Sequence, residues 1–147
     1  RMSRDSYISC ASCHVDGLSD GQVWDFTQVG EGLRNTIELR GRAGIGHGRL
    51  HWTANFDEIQ DFENDIRLAF SGKGFLRDDV FARTRDPLGE SKARGNGELD
   101  ALSSYVTSLH RFPPSPYRQP DGGLTPAGER GKQVFVVRAC WTCHGGS

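Results

Sequence analysis

Two short segments near opposite ends of the chain share one pattern of cysteine and histidine. They read C-A-S-C-H at residues 10–14 and C-W-T-C-H at residues 140–144, and they hold all four cysteines of the 147 residues. In C-x-x-C-H, two thiols three positions apart reach two vinyl groups on one edge of a porphyrin, and the adjacent imidazole turns under the iron. The pattern therefore predicts two covalently attached haem c groups. The residues expected to hold them are Cys10, Cys13, His14, Cys140, Cys143 and His144, with the two histidines as iron ligands.

Other uses of paired cysteines fit these segments less well. A redox-active C-x-x-C motif needs no histidine after it, yet both pairs carry one. Zinc sites built from two such pairs space them by about 15–20 residues, whereas these pairs stand near opposite ends of the chain. Two plain disulfides in an oxidising compartment are the remaining alternative.

The composition agrees with a core that is not made of side chains alone. Hydrophobic residues make up 35% of the chain, which is thin for a compact core, while aromatic residues reach 10% and include three Trp. Two porphyrins would supply the missing apolar volume. A net charge of −1 gives no electrostatic footprint for nucleic acid, and no stretch approaches the ~18 apolar residues of a transmembrane helix.

Covalent haem attachment takes place outside the cytoplasm, so we expect a periplasmic or extracellular location. The sequence shows no leader of charged and then apolar residues. Because a haem needs protein on both of its faces and only three residues follow His144, we expect the chain to be part of something longer. The expected partners are a redox protein or a further haem domain.

Periodicity and turn residues predict a mainly α fold with long irregular loops. Residues 21–54 are rich in Gly and predict an irregular wrap around a flat ligand. Helices are expected over 55–72, capped by Asn55, over 98–110, and from Pro126 onward, capped by Thr125. Residues 83–97 predict a surface loop. The expected organisation is a nearly complete haem domain at 1–112, a Pro- and Gly-rich linker at 113–124 and the start of a second haem domain at 125–147.

The far side of each iron needs a ligand or stays open. His47 and His51, four residues apart in a Gly-rich stretch, are candidate sixth ligands. The alternative for each is a hydrogen bond to a haem propionate or a backbone carbonyl. His110 is expected to complement the negative end of a helix instead, and Met2 is a weaker candidate.

Aromatic and basic side chains are expected around the haems. Trp52 follows the histidine pair and is expected to pack on a porphyrin or to carry electrons between haems, and Arg49 is expected to pair with a propionate. The alternatives are plain core packing for the Trp and a solvated surface charge for the Arg. The other residues with the same expectations are Trp24, Trp141, Arg34, Arg40 and Arg42.

Several further stretches resemble the bacterial di-haem cytochrome c peroxidases, a superfamily that includes the di-haem enzyme maturing methylamine dehydrogenase. The family opens on an S-x-D pattern before its first C-x-x-C-H, continues with D-G and R-N-T, and later has a Trp and a Gln. The matching stretches here are Ser3-Arg4-Asp5, Asp20-Gly21, Arg34-Asn35-Thr36, Trp52 and Gln60. Gly131 and Phe135 match the family's entry to its second domain. The resemblance covers nearly the whole chain in the right order.

The resemblance implies two cytochrome-c-like domains in which the first haem reacts with peroxide, the second accepts electrons, and a Trp matched by Trp52 helps electrons to pass. Two family features are missing. The family's distal His lies in an H-N-x-G stretch, where this chain has Thr27-Gln28-Val29-Gly30, and its E-M-G motif has no match. Glu58 and Glu63 are the nearby candidates for the acid–base group that peroxide cleavage needs.

Three functions remain open at this point. The favoured one is electron transfer through two haems within a larger exported protein or complex. The second is a peroxidase that reduces hydrogen peroxide to water. The third is a haem-bearing adaptor whose main role is docking. The residues therefore leave open whether the chain is an enzyme.

Overall fold

The computed structural model describes residues 2–144. The chain divides into two compact units, Arg1–Phe112 and Pro113–Ser147. The described part is mostly helical, as expected, with one small sheet. Short 3₁₀ turns occur at Arg4–Ser6, Val15–Gly17, Thr27–Val29 and Ile59–Asp61, and a π-helical turn at Asp65–Ala69. In chain order the other elements are α1 (Cys10–Cys13), β1 (Val23–Phe26), β2 (Gly32–Asn35), α2 (Phe62–Asn64), α3 (Asp78–Arg83), α4 (Gly97–Ser108), α5 (Pro126–Val137) and α6 (Trp141–His144).

The expectation of an irregular wrap over residues 21–54 is wrong for its first half. β1 and β2 form an antiparallel hairpin in which Val23 lies opposite Asn35 and Phe26 opposite Gly32. The connecting turn ends at Gly30, whose φ of 86° is left-handed and favours glycine. The sequence between Leu50 and this hairpin stays irregular, and Leu50 pairs with Phe56 in an isolated antiparallel bridge.

The helix expected over residues 55–72 is shorter and changes geometry along its length. Asn55 does not cap it, because Phe56 is still extended and bonded to Leu50. The helical run begins at Ile59 and passes from a 3₁₀ turn into α2 and then into the π-helical turn. In that turn the Phe70 N–H donates to the Asp65 carbonyl at 2.9 Å, a span of five residues.

The expectations for two later helices are confirmed to within a residue or two. α4 begins at Gly97, where the Asn96 side chain accepts from the N–H groups of Glu98 and Leu99. α5 begins at Pro126, and Thr125 caps it by accepting from the Gly128 N–H.

The interior of the first unit contains few apolar side chains. Among the described residues, the buried hydrophobic side chains are Phe56, Ile59, Ile66, Leu76 and Leu99, whereas nine polar or charged residues are buried. The expectation of a surface loop over residues 83–97 is wrong for Thr84 and Lys92, because each of these residues is buried and only 1% exposed. The Lys92 ammonium enters the interior because the Asp61 carboxylate meets it there at 2.6 Å.

The second unit exposes much of its apolar surface. Val134, Val136 and Val137 on α5 are more than half exposed, as is Trp141 at the start of α6. Within residues 2–144, none of the helices combines the length and the apolar character needed to cross a bilayer.

Candidate haem-binding site

Both C-x-x-C-H segments fold into the same single helical turn. In α1 the His14 N–H donates to the Cys10 carbonyl at 2.8 Å, and in α6 the His144 N–H donates to the Cys140 carbonyl at 3.0 Å. This turn holds two thiols and an imidazole around one short stretch of backbone. All four cysteines are free thiols in the structure, so the disulfide alternative has no support from the geometry.

Two cavities of the first unit meet at the first motif. One has a volume of about 390 Å³ and the other about 220 Å³. The residues that line both cavities are Cys10, His14, His51, Trp52 and Phe62. The larger cavity is also lined by Cys13 and by the acidic side chains of Glu31 and Asp65. The smaller one has apolar walls and the basic side chains of Arg42, His47 and Arg49.

These surroundings fit a flat apolar group attached through the first motif. Burial lowers the pKa of His14, which favours the neutral imidazole that binds metals. The backbone of Ile37 acts in the opposite direction and partly offsets this lowering of the pKa. Within residues 2–144, the buried Nδ1 atom of His14 has no hydrogen-bond partner of ordinary geometry. The same part of the chain contains no cluster of three or more His, Cys, Asp or Glu side chains suited to a metal ion. The first motif, set where the two cavities meet, fits a macrocycle that would be attached through its two thiols and would bind its iron at His14.

Both thiols of the first motif are biased toward their neutral form. Burial raises the pKa of Cys10, and the nearby Asp65 carboxylate raises it further. Burial and the Asp20 carboxylate raise the pKa of Cys13. The Cys10 side chain is nevertheless exposed to solvent, because it lines the larger cavity. The Cys10 sulfur also contacts the Met2 sulfur at 3.8 Å.

His51 lies between the two cavities with both ring nitrogens engaged. Its Nδ1 is 2.9 Å from the Asn55 Oδ1 and 3.3 Å from the Glu31 Oε1, and its Nε2 is 3.2 Å from the Asp65 Oδ2. The ring stacks on Phe56, with centroids 4.6 Å apart and planes 9° apart. Burial opposes protonation, but Asp65, Asn55 and Glu31 outweigh it and raise the pKa of His51.

The acidic residues near the first motif differ from those expected. Glu58 and Glu63 line neither cavity. Glu58 accepts from the Ser91 hydroxyl at 2.7 Å, and Glu63 accepts from the backbone N–H groups of Phe75 and Leu76. Glu58 and Glu63 therefore connect their helical run to later segments of the chain and do not face either cavity. The carboxylates at the cavity are Glu31 and Asp65. No motif in the sequence singles them out, because they reach His51 from the hairpin and from the π-helical turn.

The structure places the other expected haem neighbours in different ways. Trp52 lines both cavities, donates its indole N–H to the Asn35 carbonyl at 3.0 Å and packs on Phe26. His47 and Arg49 are exposed at the smaller cavity. Arg40 pairs with Glu38.

The remaining histidine and Trp candidates lie elsewhere or serve other contacts. His110 is exposed beyond the end of α4, where its Nδ1 meets the Ser108 carbonyl at 2.7 Å, and it lines neither cavity. Trp24 lines the larger cavity and donates to Asp20.

Two known proteins are similar in sequence to nearly the whole of this chain. No family model matches the sequence. The chain is 33% identical to the hydrazine synthase subunit gamma of Kuenenia stuttgartiensis over 145 residues, covering 94% of this chain and 37% of that protein. It is 27% identical to the cytochrome c peroxidase Ccp of Escherichia coli (strain K12) over 174 residues, covering 99% of this chain and 34% of that protein. It spans about a third of the length of each relative.

A solved structure of Kuenenia stuttgartiensis hydrazine synthase, pressurised with xenon, is similar over nearly the whole chain. The TM-score is 0.59 at 29% identity, and the match covers 99% of this chain and 44% of that one. Together with the two C-x-x-C-H turns, these similarities support a relationship of this chain to the cytochromes c.

Proposed function

We propose that the chain transfers electrons through two haem c groups, held at residues 10–14 and 140–144. The observation that carries the proposal is the shared turn, in which the histidine N–H bonds to the carbonyl of the first cysteine at 2.8 Å and 3.0 Å. Each thiol would add across a vinyl group, so that a sulfur–carbon bond forms and the thiol hydrogen goes to the neighbouring carbon. When bound, each haem supplies a one-electron iron couple.

The residues of the first unit have distinct parts in this function. His14 would hold the iron through a neutral imidazole. Trp52, fixed by its bond to the Asn35 carbonyl, would cover the porphyrin together with Phe62. Arg42 and Arg49 at the smaller cavity would pair with the propionates. The second motif has the same turn, so Cys140, Cys143 and His144 would hold the second haem.

The proposal extends to organisation and location. The first unit would be a cytochrome-c-like haem domain over residues 1–112, followed by a linker over 113–124 and part of a second haem domain over 125–147. The exposed apolar side chains of α5 and α6 support a further covering surface for the second haem. The protein would work outside the cytoplasm within a larger chain or complex, and one relative is by name a subunit of hydrazine synthase.

Counting haems tests this function. The chain is expressed with an export signal in a bacterium that carries a cytochrome c maturation system, and covalent haem is measured by intact mass and by the pyridine haemochrome spectrum. We expect two haems per chain and one in the Cys10→Ser/Cys13→Ser or Cys140→Ser/Cys143→Ser variant. The Ser12→Ala and Thr142→Ala variants are the controls, since they change the intervening residues and leave the thiols. A chain without covalent haem after maturation would contradict the proposal.

Peroxide reduction is the second candidate function. It is favoured by the acid–base groups of Glu31, His51 and Asp65 at the larger cavity and by the similarity to a cytochrome c peroxidase. Hydrogen peroxide accepts two electrons and two protons to give two waters. The test is oxidation of a reduced cytochrome c by peroxide in the presence of the haem-loaded chain. Turnover no faster than without the chain excludes this function and leaves electron transfer.

A further inference from the structure

We propose that a positively charged electron-transfer protein docks on the outer face of the β1–β2 hairpin and exchanges electrons with the first haem. This outer face consists of the side chains of Val23, Asp25, Leu33 and Asn35. The inference rests on the proposed function, because it needs a haem attached at residues 10–14. It adds the class of partner and the place of contact, which the C-x-x-C-H turns leave open.

The hairpin separates the larger cavity from solvent by a single layer of backbone. Trp24 and Phe26 lie two residues apart on β1, and both line that cavity. Because side chains alternate along a strand, the outer face is directed away from the cavity, and its four residues are exposed. Packed layers of sheet lie about 10 Å apart. A protein docked on the outer face would therefore lie close to the first haem.

The outer face carries apolar side chains where the solvated face of a sheet usually carries polar ones. Val23 is 58% exposed and Leu33 is 66% exposed. Val23 lies opposite Asn35 and Leu33 opposite Asp25, so the two apolar side chains are diagonal neighbours across the strands. Standard protein interfaces use about 20–30 residues on each side, whereas weak redox encounters bury less than about 1,200 Å². An apolar centre of this size suits a transient redox encounter.

The charge of this part of the chain selects a basic partner. Between Arg4 and Arg34 the sequence contains five acidic residues and neither Lys nor Arg. Asp25 lies on the outer face itself, where its carboxylate accepts from the Thr27 N–H at 2.9 Å. The Arg34 guanidinium does not offset this charge on the outer face, because it lies 3.5 Å from the Glu31 carboxylate. A basic protein would therefore be steered toward the hairpin by complementary charge.

The test measures the second-order rate of electron transfer to the oxidised, haem-loaded full chain. The donor is zinc-substituted mitochondrial cytochrome c, a basic protein whose photoexcited state gives up an electron. We expect the rate to fall as the ionic strength rises. Leu33→Lys should lower the rate about 10-fold at low ionic strength, because it removes an apolar contact and repels a basic partner. Asp25→Asn keeps the oxygen that accepts from Thr27 and should lower the rate about threefold.

The matched control is Tyr105→Lys, which adds the same charge in place of an exposed apolar side chain on α4 and should change the rate less than about twofold. Equal rates in Leu33→Lys and Tyr105→Lys would overturn the inference, and so would a rate that rises with ionic strength.

Two further measurements separate the docking surface from the haems. The Cys140→Ser/Cys143→Ser variant should keep the fast reaction, because the hairpin adjoins the first haem, and loss of that reaction would overturn the inference. Dithionite, a small ion that needs no docking surface, should reduce every variant completely, which shows that Leu33→Lys leaves the haems intact. A chain that dithionite does not reduce would contradict the proposed function itself and the inference with it.

Discussion

The Lys92 ammonium and the Asp61 carboxylate form an ion pair of 2.6 Å from which solvent is shut out, with side chains 0% and 1% exposed. Asp61 also accepts from the backbone N–H groups of Asp57 and Glu58. The pair therefore fixes the long segment before α4 to the start of the helical run that carries Asp65 to the cavity. Removing one partner would leave a buried charge without compensation.

Replacing Lys92 with Met should destabilise the haem-loaded chain by about 3–5 kcal/mol at pH 7.5, the cost of breaking a buried ion pair. Denaturant unfolding followed by circular dichroism measures this. Lys73→Met is the matched control because Lys73 is exposed, and it should change stability by less than about 0.5 kcal/mol. Equal effects of the two substitutions would show that the burial of Lys92 has no energetic weight.

The cost of Lys92→Met should depend on pH with a defined sign. Burial raises the pKa of Asp61, and Lys92 opposes that shift. A carboxyl whose pKa is raised by folding contributes stability that is complete below the unfolded pKa of about 3.9 and is lost as the pH rises through the folded pKa. Without Lys92 the folded pKa rises further. The variant should therefore approach the unsubstituted chain in stability near pH 4 and fall away from it toward pH 7.5. A pH-independent difference would contradict this.

Glu63→Gln should be costly although it keeps the shape of the side chain. Glu63 is 0% exposed, accepts from two backbone N–H groups and pairs with Arg67 at 2.8 Å. Gln removes the negative charge that faces the Arg67 guanidinium in the interior, and puts an NH₂ group in place of one of the two carboxylate oxygens that accept from the Phe75 N–H. We therefore expect a loss of about 2–4 kcal/mol. Glu90→Gln breaks the exposed pair with Arg83 and should cost less than about 1 kcal/mol. The measurement is the thermal unfolding of both variants. A larger loss of stability in Glu90→Gln than in Glu63→Gln would contradict the prediction.

Gly74→Ala should destabilise the chain by about 2 kcal/mol or more. Gly74 has a φ of 69°, and an added methyl group would collide with the Glu63 carboxylate. In the Glu63→Gln background the effect should not be additive, since both changes strike the same group. Gly97→Ala, where the added carbon meets open space, is the control and should be close to neutral. The measurement is the denaturant midpoint of the unsubstituted chain, of Gly74→Ala, of Glu63→Gln, of their double variant and of the Gly97→Ala control.

Local signals in the sequence predicted part of this structure. Thr125 and Pro126 marked the start of α5, because a cap and a fixed φ act on their own neighbours. The apolar spacing of α4 was equally local. The β1–β2 hairpin could not be predicted, because its glycines also suit an irregular loop around a ligand. In the structure Gly30 ends the turn that connects the two short strands.

Likewise, only the part of the candidate site that is local in sequence could be predicted. The C-x-x-C-H turns could be predicted because all their chemistry lies within five residues. Glu31 and Asp65 could not, since they approach His51 from positions 20 before it and 14 after it, and only the folded chain brings them together. Lys92 looked like a loop residue for the same reason: its partner Asp61 stands 31 positions earlier.

The π-helical turn at Asp65–Ala69 makes the larger cavity sensitive to the number of residues in this helix. The hydrogen bond from the Phe70 N–H to the Asp65 carbonyl closes a loop one residue longer than an α-helix uses. Deleting one residue would restore the α-helical repeat and turn the two sides of the deletion by about 100° relative to each other. A homologue with a one-residue gap at this point would keep the helix and its core contacts yet offer a different side chain to the imidazole. A one-residue insertion or deletion here would thus decide whether an acidic side chain lines the larger cavity at this point.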